Sequence, residues 1–214
     1  MLGKIHLTLV REVDMNATRK KILDVSLELF SQKGYSAVSI RDICGYVQIK
    51  ESSVYYHFKN KQAIFEELLM QFENIASGMM QQLEQSFAEP MGSGNGNFYE
   101  GVCRIFFEKY LMDDFCNKMM RLLLIEQFHN EEVQKLYDLW MFDKPIAFQS
   151  KVFSVLAGVG YIKNVDSNYL AIKYYSPIYC FAQRWLFSGT LTDERKEIFR
   201  ANAYEHIGKF FKEI

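Results

Sequence analysis

The stretch that most constrains this chain runs from Ser39 to Lys61, SIRDICGYVQIKESSVYYHFKNK. Ser39 followed three residues later by Asp42 is a capping-box pattern, which predicts a helix beginning at Ile40. Ile40, Ile43, Cys44 and Val47 then recur at helical spacing and form one apolar stripe. A helix this short is unstable alone, so the stripe has to pack against neighbours. Gln48, Ile49 and Lys50 read as a tight turn, and the short helix after it keeps Val54 and Phe58 on its inner face. Its remaining face is Ser52, Ser53, Tyr55, Tyr56 and His57, all able to hydrogen-bond, with tyrosines that can also pack against sugar. That face is too polar for a core and too aromatic for plain surface, and it marks a contact element.

The chain on either side is helical in pattern. Three prolines in 214 residues, with long glycine-free stretches, favour long helices over a sheet. From Thr18, an inward stripe of Ile22, Val25, Leu29 and Phe30 ends at a glycine cap, Lys33-Gly34. Lys61 to Phe87 keeps Ile64, Phe65, Leu68, Leu69, Phe72, Ile75, Ala76, Met79, Met80 and Leu83 in one helical period. At 1.5 Å per residue this helix is about 40 Å long and can serve as a lever between two domains. AEPMGSGNGN, Ala88 to Asn97, reads as a flexible loop. Further helices are expected at Phe98 to Met112, Asp114 to His129, Glu131 to about Tyr161 with a start or kink near Pro145, Asp166 to Ser188, and Thr192 to Glu213. Asp166 or Ser167 and Thr192 are the candidate caps, and Gly189 marks a stop. Residues 1–14 have neither the apolar centre nor the cleavage site of a signal peptide, and Met15 opens MNATRKKILDV. They are expected to be an extension, a cloning remnant or the product of an upstream start, with a basic arm reaching DNA as the alternative.

The organising stretch resembles the DNA-binding domain of the tetracycline-repressor (TetR) family of transcriptional regulators. The resemblance lies in Ser39-Ile40, Ile43, Ile49, Val54-Tyr55-Tyr56-His57-Phe58 and Lys61. It covers Thr18 to Leu69 closely and rests on helix layout beyond. Where the family often has a small residue and a glycine in the turn, this chain has Val47 and Gln48; Lys50 stands for a frequent capping serine and Ser52 for a common glycine. The resemblance implies an all-α fold, with a three-helix helix-turn-helix DNA-binding domain over residues 15–62. A ligand-binding and dimerisation domain over 63–214 is joined to it by the long helix. It further implies a cytoplasmic homodimer, a repressor released from a palindromic operator by a small hydrophobic or aromatic effector. Ser39, Tyr55, His57 and Lys61 would grip phosphates; Ser52 to His57 would enter the major groove, with Lys50, Glu51, Ser53 and Tyr56 at the bases.

Beyond the reader, the aromatics are dense, and most helical aromatic stripes are core. A subset is expected to line a ligand cavity: Phe106, Tyr110, Phe128, Tyr137, Trp140, Phe148 and Tyr174, with Met119 as an adaptable neighbour. The richness in Tyr and Trp faces leaves a cationic ligand open. The final helix is apolar on more than one face, so it is either sunk in its own domain or part of a subunit interface. Under the resemblance the second applies, through Tyr179, Phe199, Ala203, Ile207 and Phe210.

Charge and chemistry agree with a binding protein. Residues 1–62 carry a balance of +4 and the remainder −5, a basic end on an acidic body. Cys44, Cys103, Cys116 and Cys180 are scattered, with no metal-ligand spacing, and read as reduced thiols. No apolar run approaches the roughly 20 residues that cross a bilayer. No phosphate-cradling glycine loop, H-E-x-x-H or G-x-S-x-G motif occurs, so no cofactor, metal or catalytic residue is expected. Two other readings stay open: an enzyme whose groups converge only in space, and a protein-interaction adaptor, since Glu51 at the start of the reader helix would repel phosphate.

Overall fold

The first helix ends because its glycine leaves it. α1 (Leu2–Lys33) stops at Gly34, which takes φ 82° and donates its N–H to the Phe30 carbonyl at 2.9 Å. The structure, a computed structural model, describes residues 2–88, 98–163 and 166–214, with side chains described over 16–86 and from 101 onward. The loop expected at Ala88 to Asn97 lies outside the described residues from Glu89 on.

α2 (Ile40–Val47) carries the full capping box: the Ser39 hydroxyl accepts from the Asp42 N–H, and the Asp42 carboxylate accepts from the Ser39 N–H at 2.8 Å. Gln48 closes this helix in the left-handed region, φ 63° and ψ 46°, and donates to Cys44 O at 2.8 Å. The turn that the family often makes with glycine is therefore made here by a glutamine, at a conformational cost of about 1–2 kcal/mol. α3 (Glu51–His57) follows, then α4 (Lys61–Ala88), 28 residues long. Ile22, Phe30, Ile43, Val54 and Ile64 are fully buried where these four helices meet. Arg19 of α1 pairs with Glu67 of α4 and lies 4.9 Å over the Phe58 ring, so one guanidinium ties the first helix to the end of the third and to the fourth.

The body is built from α5 (Phe98–Phe106), α6 (Asp114–Glu126), α7 (Glu131–Asp138), α8 (Lys144–Gly158), α9 (Ser167–Ala182) and α10 (Asp193–Glu213). The architecture is all-α, with no strand among the described residues. Three segments widen into π turns: Phe107–Leu111 after α5, Leu139–Asp143 between α7 and α8, and Gln183–Phe187 after α9. The start or kink expected near Pro145 is a start: α7 passes through a π turn into α8, with Pro145 in its first turn. The widened segment leaves carbonyls for other elements. Trp140 O accepts from the Tyr110 hydroxyl at 3.3 Å and Met141 O from the Tyr175 hydroxyl at 2.7 Å. Buried Asn117 donates to Leu111 O and Leu186 O, both at 3.1 Å, and so joins the ends of the other two π turns.

α10 packs on α9 and on the π turn after it. Phe199 meets Phe107 at 5.2 Å between ring centroids, and Phe210 meets Tyr174 at 5.3 Å. Phe199, Ala203, Ile207 and Phe210 are all buried within the single chain. These four residues, expected at a dimer seam, belong to the subunit's own core. A helix apolar on more than one side does not announce which side its own domain takes. Tyr179, the fifth, is half-buried, and its hydroxyl bonds Tyr137 and Gln183 of the same chain.

Head and body meet at the loop after Gly34. Glu126, the last residue of α6, is 5 % exposed, and its Oε1 accepts the Tyr35 N–H at 2.8 Å. A Cβ on Gly34 would stand 2.9 Å from that oxygen, so the glycine serves both the left-handed turn and the approach of the carboxylate. Lys118 of α6 reaches Glu28 of α1 at 2.8 Å and adds a second, more exposed tie. We expect Glu126→Ala to lose about 1–3 kcal/mol, because it strands a buried N–H. Urea unfolding checks this; an unchanged midpoint would mean that the Tyr35 amide has another acceptor.

Candidate nucleic-acid interface and ligand cavity

The reader helix is held from behind. Val54 is fully buried and Phe58 nearly so, which fixes α3 on α1 and α2. Lys21 of α1 donates to Val47 O at 3.1 Å and satisfies a carbonyl at the end of α2. With its inner face anchored, α3 turns Tyr55 (50 % exposed) and Tyr56 (69 %) outward. Lys50, Glu51 and Ser52 are also exposed, while Ser53 and His57 are half-buried. The sequence-expected reader residues therefore do come together on one short helix and its leading turn.

The charges there differ from the simple reading in three places. Glu51 lies 3.6 Å from the Arg41 guanidinium on α2, so a cation already faces the carboxylate that would otherwise repel phosphate. Arg41 itself, with an 89 % exposed side chain, is a further cation beside the candidate interface that the sequence reading did not single out; its place on the outer face of the capped α2 was the available signal. Burial first, then the neighbouring Arg19, pushes His57 below the ordinary imidazole range. That shift disfavours its charged form, so it serves chiefly as a hydrogen-bonding group.

Lys61 departs furthest from expectation. Its ammonium donates to Tyr35 O at 2.8 Å and Val38 O at 2.7 Å, and sits 4.1 Å over the Tyr35 ring. Burial lowers its pKa, and nearby Glu126 opposes that shift. Two of its three N–H groups are engaged with backbone, so the expected phosphate grip gives way to a structural role: Lys61 clamps the loop between α1 and α2 onto the start of α4. Ser39 remains exposed, although its hydroxyl also donates to Asp42 Oδ2 at 2.6 Å.

In the body, a small cavity of about 20 Å³, close to the volume of one water, lies among α4, α5, α8 and α9. Phe106, Phe148 and Tyr174 line it as expected. Met80, Leu83, Val102, Cys103, Phe107, Tyr175 and Ile178 complete its apolar wall together with Pro145, and Gln149 adds a polar group. Those residues lay in the expected helices but were indistinguishable from ordinary core in sequence. Tyr110, Met119 and Tyr137 are buried but do not border the cavity. Trp140 borders instead a surface groove of about 380 Å³ between α4 and α8. Phe128 is 79 % exposed, beyond the end of α6, and cannot line a cavity; its position in the turn before Asn130 takes it out of the helical stripe.

This geometry defines a helix-turn-helix head on an all-helical body with an internal cavity. Residues 22–68 match the family model described as bacterial regulatory proteins, tetR family. The HTH-type transcriptional regulator YvkB of Bacillus subtilis is 34% identical over 70 residues, 33% of this chain and 37% of that protein. The biofilm operon icaADBC HTH-type negative transcriptional regulator IcaR of Staphylococcus aureus is 45% identical over 49 residues, 23% of this chain and 26% of the relative. These curated relatives are thus matched over well under half their length. A crystal structure of a TetR-family transcriptional regulator from Mesorhizobium loti covers 92% of this chain and 96% of its own, with TM-score 0.63 at 18% identity, a likeness of fold. Residues 22–68 thus match the DNA-binding part of that family's pattern, and beyond them the likeness to TetR-family regulators is one of fold.

For DNA lying against α3, Glu51→Ala and Tyr56→Phe should each change the preferred base pair at one position per half-site, by about 1–3 kcal/mol. Arg41→Ala, which removes an exposed cation not assigned to a base, should weaken all sequences nearly alike and lower the salt slope by about one per contact. Lys61→Ala should act mainly by lowering the unfolding midpoint. Titrations of specific and random duplexes at several salt concentrations, beside urea melts, separate the three. A Lys61→Ala protein of unchanged stability with a reduced salt slope would restore the phosphate assignment.

Proposed function

We propose that this chain is a ligand-responsive DNA-binding transcriptional regulator, a repressor that leaves a near-palindromic operator when a small hydrophobic or aromatic effector occupies the body. The observation that carries the reading is the outward face of α3, on which two exposed tyrosines follow a buried Val54 on a helix of seven residues. Nothing in the packing of the head calls for that exposure, and a major groove would cover it. The Arg41 contact to Glu51 weighs against the adaptor alternative, since the reader's acidic group is already faced by a cation. Among the described residues no group of His, Cys, Asp and Glu could hold a metal ion, and the cavity is walled chiefly by apolar side chains. No helix among the described residues is long and apolar enough to cross a membrane.

A palindromic operator requires a dimer, and the seam we propose is the outer face of the last two helices. Ile172, Ser176 and Cys180 on α9, and Ala201, Tyr204 and Gly208 on α10, are exposed and fall at helical spacing. Small residues there let two copies approach closely. Effector response would run along α4, whose Met80 and Leu83 wall the cavity and whose first residue, Lys61, clamps the head. A slight shift of α4 changes the spacing of two reader helices and loses one half-site.

Selection from random duplex DNA tests the function: enrichment of a near-palindrome with half-sites about 34–36 Å apart is expected. Absence of any enriched sequence would refute the DNA-reader assignment. For the seam, Gly208→Arg should convert a dimer into a folded monomer by light scattering at micromolar concentration, whereas Phe199→Lys should unfold the chain. A Gly208→Arg protein that remains a full dimer would place the seam elsewhere.

A further inference from the structure

The small apolar cavity and the larger, more open groove beside it share two walls, Met80 and Phe148. An unbranched thioether and a single ring are the partition between an apolar inner chamber and a solvent-facing outer one. Three features of the outer chamber have a common chemical sense. Trp140, 5 % exposed, has an indole N–H with no acceptor among the described residues. A buried N–H without an acceptor is costly, so an acceptor carried in by a ligand is rewarded. Lys144 and Lys151, seven residues apart on the same face of α8, stand at the rim. Against them is a single carboxylate, Glu84, whose approach to Lys151 is 3.9 Å, the outer edge of an ion pair. Lys144 makes no ion pair among the described residues. The inner chamber, by contrast, contains no charged side chain.

From this arrangement we infer that the effector is an amphipathic anion, of the class of a medium- or long-chain carboxylate. As it stands the inner chamber holds about one water, so the effector's chain enters only as Met80 and Phe148 part and the chamber widens around it. Its carboxylate stays in the groove, accepting from the Trp140 indole N–H and paired with Lys144 and Lys151. The inference rests on the effector reading of the cavity and narrows it to one chemical class. It also sets aside a cationic ligand, which the aromatic content alone leaves open: a cation in the groove would face two ammonium groups and leave the indole N–H unpaired. Parting of Met80 and Phe148 moves a residue of α4 itself, so entry is coupled to the lever.

The test uses the full chain carrying Trp185→Phe, which leaves Trp140 as the one indole fluorophore, and three probes with the same ten-carbon chain at sub-micellar concentration: decanoate, decanol and decyltrimethylammonium. Decanoate should shift Trp140 emission and bind at least about tenfold tighter than either other probe, the size of one good charge-assisted contact. Lys144→Ala with Lys151→Ala should remove most of that advantage over decanol. Decanol or the ammonium probe binding as tightly as decanoate would overturn the anionic class while leaving the cavity reading intact. No binding by any of the three, in a protein whose melting curve is unchanged, would overturn the cavity reading and the inference with it.

Discussion

The structure depends on one buried carboxylate. Glu126 ends α6 with almost no exposure, and its acceptor is used by a backbone N–H in the loop that leaves α1. From the other side, the Lys61 ammonium holds the Tyr35 and Val38 carbonyls of the same loop. A segment of five residues, 34–38, is thus pinned by the body through Glu126 and by the long helix through Lys61. Each group is costly to bury unpaired, so neither can let go without penalty. α2 begins directly after that loop, which means the orientation of the reader is set by contacts outside the reader.

That junction gives the long helix its meaning. From Lys61 to Met80, α4 runs about 28 Å, from the clamp on the loop to the wall of the cavity. A helix transmits displacement along its axis because its backbone bonds are all internal, while side-chain packing at either end can exchange one arrangement for another. The π turns belong to the same design. Two of them carry Phe107 and Trp140 to the cavity and groove, and the carbonyls of the second are caught by Tyr110 and Tyr175. Such widened turns position side chains that a regular helix would rotate away.

Much of the fold was legible in sequence, for local reasons. The Ser39–Asp42 box, the Gly34 stop, the Asp166 and Thr192 caps and the unbroken period of α4 are signals contained within a few residues, and the elements begin and end there. The exposed face of α3 was legible because its apolar positions were too few to bury the rest. What failed was everything decided by a distant partner. Lys61 reads as a free cation until Tyr35 folds beneath it. Phe199, Ala203, Ile207 and Phe210 read as a seam because sequence does not say which apolar face of a helix its own domain covers first. Phe128 reads as cavity wall only if α6 continues past Glu126. The π turns have no signal at this spacing, and nothing in the sequence marks that the Trp140 N–H is left without an acceptor among the described residues.

The account turns on whether head and body are one cooperative unit joined at the 34–38 loop. Hydrogen exchange at the Tyr35 amide reads this directly, because that N–H is donated across the junction. If the account is right, Tyr35 exchanges with the slow amides of the body's core and of α1, through global opening. Rapid exchange at Tyr35, with the body's core amides still protected, would show that the head opens on its own and would contradict the junction as the constraint that sets the reader.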